Sequence, residues 1–262
     1  MVSLDVREYT EKLRSAREAQ QTNESSESNQ LLMPSATVAR YRSPTATTVF
    51  PLEYAFHLLG DIKGKVILEY GSGDGLNTVV LANRGAKVIA LDISAELLGL
   101  AKKRLEANRC RGVDLLLGSA HTLPLPGESV DIVFGMAILH HLDLELALSE
   151  VKRVLRKGGR AIFEEPVRNS KLLDRLRRLL PKRGDASPCE RPLTDAEITN
   201  FTTPYMGRAR TFQLLLSRLA SVLPYGSKPA IKASAHVDTH LLRRFPSLAY
   251  YASVRVFEMV KD

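Results

Sequence analysis

From Lys65 onward the chain alternates short apolar runs with helix-patterned segments. The runs are KVILEY (65–70), KVIALD (87–92), VDLLLG (113–118), VDIVFGM (130–136) and RAIFEE (160–165). Between them lie Leu76–Asn83, Ala95–Asn108 and Asp143–Arg156, which carry helical periodicity. Strands that are apolar almost throughout belong to a sheet covered on both faces. Parallel neighbours need crossover helices, and these crossovers are right-handed. The expected fold is therefore α/β: a Rossmann-like, doubly wound, mainly parallel sheet with helices on both faces.

The flanks have a different texture. Residues 5–20 are expected to form a short polar helix, and residues 21–30 (QTNESSESNQ) offer no core-forming side chain and read as a flexible linker. Residues 31–262 then read as one domain. It has an N-terminal lid over 31–60, ending in the amphipathic run Leu52–Leu59, and a helical insertion over about 167–245. Within that insertion, Ser170–Leu180 reads as an amphipathic basic helix. Thr194 and Glu197 have capping-box spacing, and Phe212–Leu223 reads as helical. The closing AYYASVRVFEMV segment is β-rich and is expected to return as a strand at the sheet edge.

Composition removes several classes. Two cysteines, Cys110 and Cys189, are too few for a disulfide framework or a thiolate zinc site. No stretch approaches the roughly 18 apolar residues of a membrane span. The first twenty residues carry charges where an export signal would be apolar, so a cytoplasmic location is expected. The chain has 37 Lys+Arg against 29 Asp+Glu, a net charge of +8. Nucleic acid, an anionic membrane surface, an acidic substrate or simple solubility would each account for that excess.

The motif that carries most chemistry is Glu69-Tyr-Gly71-Ser-Gly73-Asp-Gly75, placed after a strand and before a helix. Glycines there permit a tight turn and close approach of a ligand, and the helix start offers unpaired N–H groups. Asp92 ends the next strand, where a carboxylate can accept both hydroxyls of a ribose. The third glycine stands one residue early for a dinucleotide site, and no Gly-Lys-Ser/Thr follows for a P-loop.

The spacing E-x-G-x-G-x-G resembles motif I of the class I S-adenosylmethionine-dependent methyltransferases. Further matches follow in order. Asp92-Ile-Ser94 resembles the acidic ribose position, and Gly118-Ser-Ala-His-Thr-Leu-Pro-Leu-Pro the segment that binds adenine. Ser129-Val-Asp131-Ile-Val-Phe resembles the strand-4 motif, Ile138-Leu-His140-His141-Leu the loop after it, and Val154-Leu-Arg-Lys-Gly158-Gly159 the turn into strand 5. The resemblance covers roughly residues 60–166. It implies a methyltransferase that uses S-adenosyl-L-methionine, with cofactor contacts from Glu69, Gly71, Ser72, Gly73, Asp92, Ile93, Ser119, Ala120, His121 and Met136. Tyr41 or Arg42, before the first strand, would reach the cofactor's carboxylate. One departure stands out: the family usually has Asp, which accepts from the adenine amino group, where this chain has Ser119.

The acceptor side is less determined. His140 and His141 follow a strand end, where open α/β sheets bind ligands, and either could take a proton from a hydroxyl, phenol or carbon acid. Packing against the next helix is the plain alternative; of the two, His140 is placed ahead, with His141 turned toward that helix. Glu164 and Glu165 fall on opposite faces by alternation, one toward the acceptor and the other structural or paired with Arg168. His236 and His240 have metal-compatible spacing but no third ligand, and read as a solvated helix face without metal. The basic residues between Lys171 and Arg183 read as a solvated cap, with peripheral contact to an anionic membrane as the alternative. Position 135 onward reads Gly-Met-Ala-Ile-Leu and not the Asn/Asp-Pro-Pro-aromatic motif of adenine methylation in nucleic acid, and interleaved basic and aromatic residues are lacking. The expected partner is a small-molecule or lipid-like acceptor, not nucleic acid. The alternative is a non-catalytic cofactor-binding sensor or partner subunit.

Overall fold

The computed structural model describes residues 4–25, 31–170, 191–203, 205, 207–214, 216–217 and 228–262. Its helices are α1 (Leu4–Ser25), α2 (Ser35–Arg42), α3 (Pro51–Leu59), α4 (Leu76–Asn83), α5 (Ala95–Ala107), α6 (Leu144–Val154), α7 (Asp195–Thr202) and α8 (Lys228–Arg244). The strands are β1 (Val66–Tyr70), β2 (Lys87–Asp92), β3 (Val113–Leu117), β4 (Val130–Met136), β5 (Leu155–Pro166), β6 (Ala209–Phe212) and β7 (Val254–Val260). They form one sheet in the order β3-β2-β1-β4-β5-β7-β6. β1 to β5 run parallel, and β7 pairs antiparallel with both β5 and β6. The strand order reverses beside β1, so the crevice at the C-terminal ends of β1 and β4 is where such a sheet binds ligands.

Both faces of the sheet are covered, which is why the strands read as apolar throughout. On one side Ile67, Phe134, Ile162 and Val256 pack against Phe56 and Leu59 of α3 and Leu81 of α4. On the other, Leu68, Val133, Phe163 and Phe257 pack against Val151 of α6 and Phe201 of α7. All of these side chains are at most 3% exposed. Burying one such side chain stabilises the fold by roughly 1.5–3 kcal/mol.

Several boundaries differ from the pattern-based expectation. α1 runs to Ser25, into the stretch expected to be a linker. β5 begins at Leu155, because the Gly158–Gly159 turn leaves Leu155 paired with Val130 before a register shift. The C-terminal strand β7 lies inside the sheet, and the outer position is taken by β6, a strand not expected from the sequence, which ends at Phe212 where a helix is expected to begin. Arg208–Phe212 has only four strand residues and no clear alternation, so its pairing is set by β7 and not by its own pattern. The capping box at Thr194 and Glu197 is present. The expected basic helix at 170–180 lies, from residue 171, outside the described residues, as does most of 212–223. Among the described residues no helix is long and apolar enough to cross a membrane.

Candidate functional site

The glycine loop is built by three left-handed residues: Gly71, Gly73 and Gly75 have φ of 80°, 55° and 83°. Only glycine takes these values without strain. A Cβ on Gly71 would meet Ile138 at 2.9 Å, and one on Gly75 would meet Ala101 at 2.9 Å. At Gly73 nothing lies within 4 Å, so the loop's tip faces open space. The loop is fixed from below. The N–H groups of Gly71 and Ser72 donate to the Leu91 carbonyl at 3.0 and 2.8 Å. Arg104 of α5 holds Asp74 at 2.6 Å.

Asp92 is 8% exposed at the end of β2. Its Oδ2 accepts from Gly73 N–H at 2.8 Å and its Oδ1 from Ser94 N–H at 2.9 Å. Backbone donors therefore orient the carboxylate before any ligand arrives. Glu69 behaves differently. It is buried and accepts from the Thr78 hydroxyl at the start of α4, so it braces the loop from within and does not line the cavity. Burial pushes its carboxyl up to about 8, with the nearby Asp92 and Asp74 charges adding to the rise.

A cavity of about 380 Å³ opens at these strand ends, within the size range of small-molecule sites. Its walls include Gly71, Gly73, Asp92, Ile93, Ser119, Ala120, His121, Met136 and His141. Ser72 is buried behind the loop. Tyr70 pins the 118–121 segment by donating its hydroxyl to the Ala120 carbonyl. Its roof is α1, which contributes Arg7, Glu8, Glu11, Arg14 and Ser15. Composition gave no hint of this: α1 is polar on average, and among its described side chains Ala19 joins a small apolar cluster with Leu97 and Leu100 of α5. At the cavity rim its attachments are polar, Glu8 to Ser119 and His121 and Glu11 to His141.

Tyr41 and Arg42 sit elsewhere. Tyr41 packs on Phe56, ring centroids 5.1 Å apart, beneath α3. Arg42 lines a separate cleft with His57 and Arg84. α2 is held there by the Arg40–Glu53 ion pair and by the apolar face of α3. The segment expected to cover the cofactor is thus a brace on the outer sheet face, and α1 occupies the covering position.

The two histidines also exchange roles. They lie on a 3₁₀ turn (Leu139–His141) with rings 4.0 Å apart. His141 lines the cavity, with Nδ1 3.3 Å from Glu11 of α1. His140 does not; its Nδ1 is 2.8 Å from Oε2 of Glu165. Oε1 of Glu165 accepts from the N–H groups of Ile138 and Leu139 at 2.9 and 2.7 Å. Glu165 is completely buried and is the structural member of its pair. Glu164 points to the other face; burial, then the Glu165 charge, raises it to about 7. Between the strand end and the turn, Ala137 has φ of 53°, a strained value for a residue with a side chain. His236 bonds the Lys232 carbonyl of its own helix at 2.7 Å.

The chain is similar to known proteins in both sequence and fold. Residues 68–163 match a family model described as a methyltransferase domain. An uncharacterized methyltransferase of Mycobacterium bovis is 31% identical over 196 residues, covering 70% of this chain and 75% of the relative. A malonyl-[acyl-carrier protein] O-methyltransferase of Hamiltonella defensa is 34% identical over 157 residues, covering 58% of each chain. The chain thus spans little more than half of that relative, and between 18% and 44% of four others. Among solved structures, geranyl diphosphate C-methyltransferase of Streptomyces coelicolor A3(2) superposes with a TM-score of 0.57 at 14% identity, over 79% of this chain and 76% of that one; at that identity the likeness is one of fold. A glycine cradle with open space at Gly73, a pre-oriented Asp92 and a cavity of this size fit S-adenosylmethionine, the cofactor of the family. The chain belongs to the class I S-adenosylmethionine-dependent methyltransferases.

Proposed function

We propose that this chain transfers a methyl group from S-adenosylmethionine to a small-molecule or lipid-like acceptor, with the acceptor entering beside Met136 and His141. The observation that carries this reading is that the glycine loop, Asp92, Met136 and His141 all line one cavity. When bound, the cofactor supplies a sulfonium-activated methyl group, which is already a strong electrophile. The chain's part is then to hold the acceptor in line and keep water out. α1 roofs the cavity and performs the second task. Ala137, Ile138 and Leu142 give an apolar wall for the acceptor, fixed from behind by Glu165.

His141 is the group placed to take an acceptor proton. Its ring reaches the cavity, and Glu11 lies beside Nδ1. A carboxylate at that nitrogen favours the tautomer with the proton on Nδ1, which leaves Nε2 as the base. His140, bonded to Glu165, positions the turn. Relatives named for malonyl-[acyl-carrier protein] and demethylmenaquinone suggest carboxyl and quinol acceptors as the first to try.

The test is incubation of the purified chain with methyl-labelled S-adenosylmethionine and a panel of acyl thioesters bearing a free carboxylate, quinols and isoprenoid diphosphates. Label in one small-molecule product, dependent on His141 or Asp92, supports the reading. Cofactor binding without methyl transfer to any member, or to molecules of a cell extract, would instead indicate a cofactor-sensing protein.

A further inference from the structure

The family's aspartate at the adenine segment is replaced here by Ser119, yet a carboxylate stands at that place. It comes from α1. Oε1 of Glu8 accepts from the Ser119 hydroxyl and lies 3.0 Å from Nδ1 of His121. His121 Nε2 accepts the Asp143 N–H at 2.9 Å, so the ring's proton sits on Nδ1 and is donated to Glu8. Ser119 Oγ in turn accepts the His121 backbone N–H at 3.0 Å. Residues from opposite parts of the chain thus fix one carboxylate oxygen.

The other oxygen is differently placed. Glu8 lines the cavity with its side chain 22% exposed, and none of the hydrogen bonds described above uses Oε2. Burial alone would raise this carboxyl, but the bonds from Ser119 and His121 outweigh it and the group lies below its ordinary value. It is an anion held at the rim, and an anionic acceptor selects a partner with an N–H donor.

Asp92 marks the ribose end of the cavity, and Ile93, Gly118 and Ala120 continue its wall to Ser119. A base attached to a ribose held at Asp92 would extend along this wall toward Ser119 and Glu8. We propose that Glu8 is a specificity-determining residue: α1 supplies the carboxylate that accepts from the exocyclic amino group of adenine, in place of the missing aspartate. This deepens the reading of the cavity as the cofactor site and rests on it. It also explains why so polar a helix is part of the fold. α1 completes base recognition as well as excluding water.

The experiment compares S-adenosylhomocysteine with S-inosylhomocysteine, which carries a carbonyl in place of the amino group, by calorimetry on the full chain. The wild type should prefer the adenosyl ligand by about 10- to 100-fold, the factor carried by one charge-assisted hydrogen bond. Glu8→Gln keeps the shape, but its amide can donate as well as accept, so the preference should fall to within about threefold. Ser119→Asp added to Glu8→Gln should restore it. A helix that only roofs the cavity would lower both affinities in proportion; an unchanged ratio in Glu8→Gln overturns the proposal. Failure of the wild type to bind S-adenosylhomocysteine would overturn the reading of the cavity itself, and the proposal with it.

Discussion

Nδ1 of His140 lies 2.8 Å from Oε2 of Glu165, with both side chains at most 4% exposed. The same carboxylate holds the N–H groups of Ile138 and Leu139. One acid at the end of β5 therefore shapes the whole turn that brings His141 to the cavity. Glu165→Ala would leave these donors buried without an acceptor, and each such group costs about 1–3 kcal/mol. We expect a loss of at least ~3 kcal/mol in urea unfolding. A loss under ~1 kcal/mol would mean that water or a neighbour replaces the carboxylate.

The kinetic roles of the histidines should divide along the same line. His141→Ala should cut turnover by about 10²–10⁴-fold with an acceptor that must lose a proton, while S-adenosylhomocysteine affinity stays within threefold or so. His140→Ala should act mainly on stability. The check is a pair of single variants assayed at saturating cofactor; a larger turnover loss in His140→Ala would reverse the assignment.

Glu69 carries a pH dependence. Its carboxyl is raised from an ordinary 4.5 to about 8 in the fold, so between these values the native state binds a proton that the unfolded chain does not. Stability from this group is full below about 4.5 and is lost as pH rises through about 8. Glu69→Gln mimics the protonated form and should be insensitive across that window. Relative to wild type, the variant should gain at least about 1 kcal/mol on going from pH 5 to 8. Parallel stability curves for the two chains would contradict the assignment.

The sequence made the sheet legible because burial on both faces leaves an uninterrupted apolar run at each parallel strand, and KVILEY and VDIVFGM carry that mark. The glycine loop and Asp92 were equally legible, since their roles depend on residues close in sequence. What it did not show was set by long-range contact. α1 reads as a polar appendage because the side chains it turns to the cavity are polar, and the partners of Glu8 and Glu11, which are His121 and His141, lie more than a hundred residues away. Tyr41 and Arg42 were expected near the cofactor from their position before β1, but Phe56 draws the segment beneath α3. The order of His140 and His141 turned on Glu165, which pattern alone could only place on one face or the other.

That relocation is itself testable. Arg42→Ala should leave S-adenosylhomocysteine affinity within about twofold of wild type, since its cleft is separate from the cavity. Asp92→Ala should weaken binding at least tenfold or so, because charge-assisted bonds to a ribose are worth roughly 1.5–3 kcal/mol each. Calorimetry on the two variants decides between them; equal losses would return the 31–60 segment to the cofactor.

Hydrogen exchange with and without S-adenosylhomocysteine tests most directly the claim that the cofactor lies between the glycine loop and α1. The account predicts ligand-dependent protection in residues 4–15, in the loop at 71–76 and at 118–121. Protection concentrated instead at 42–44, 57–63 and 83–84, with α1 unaffected, would contradict it.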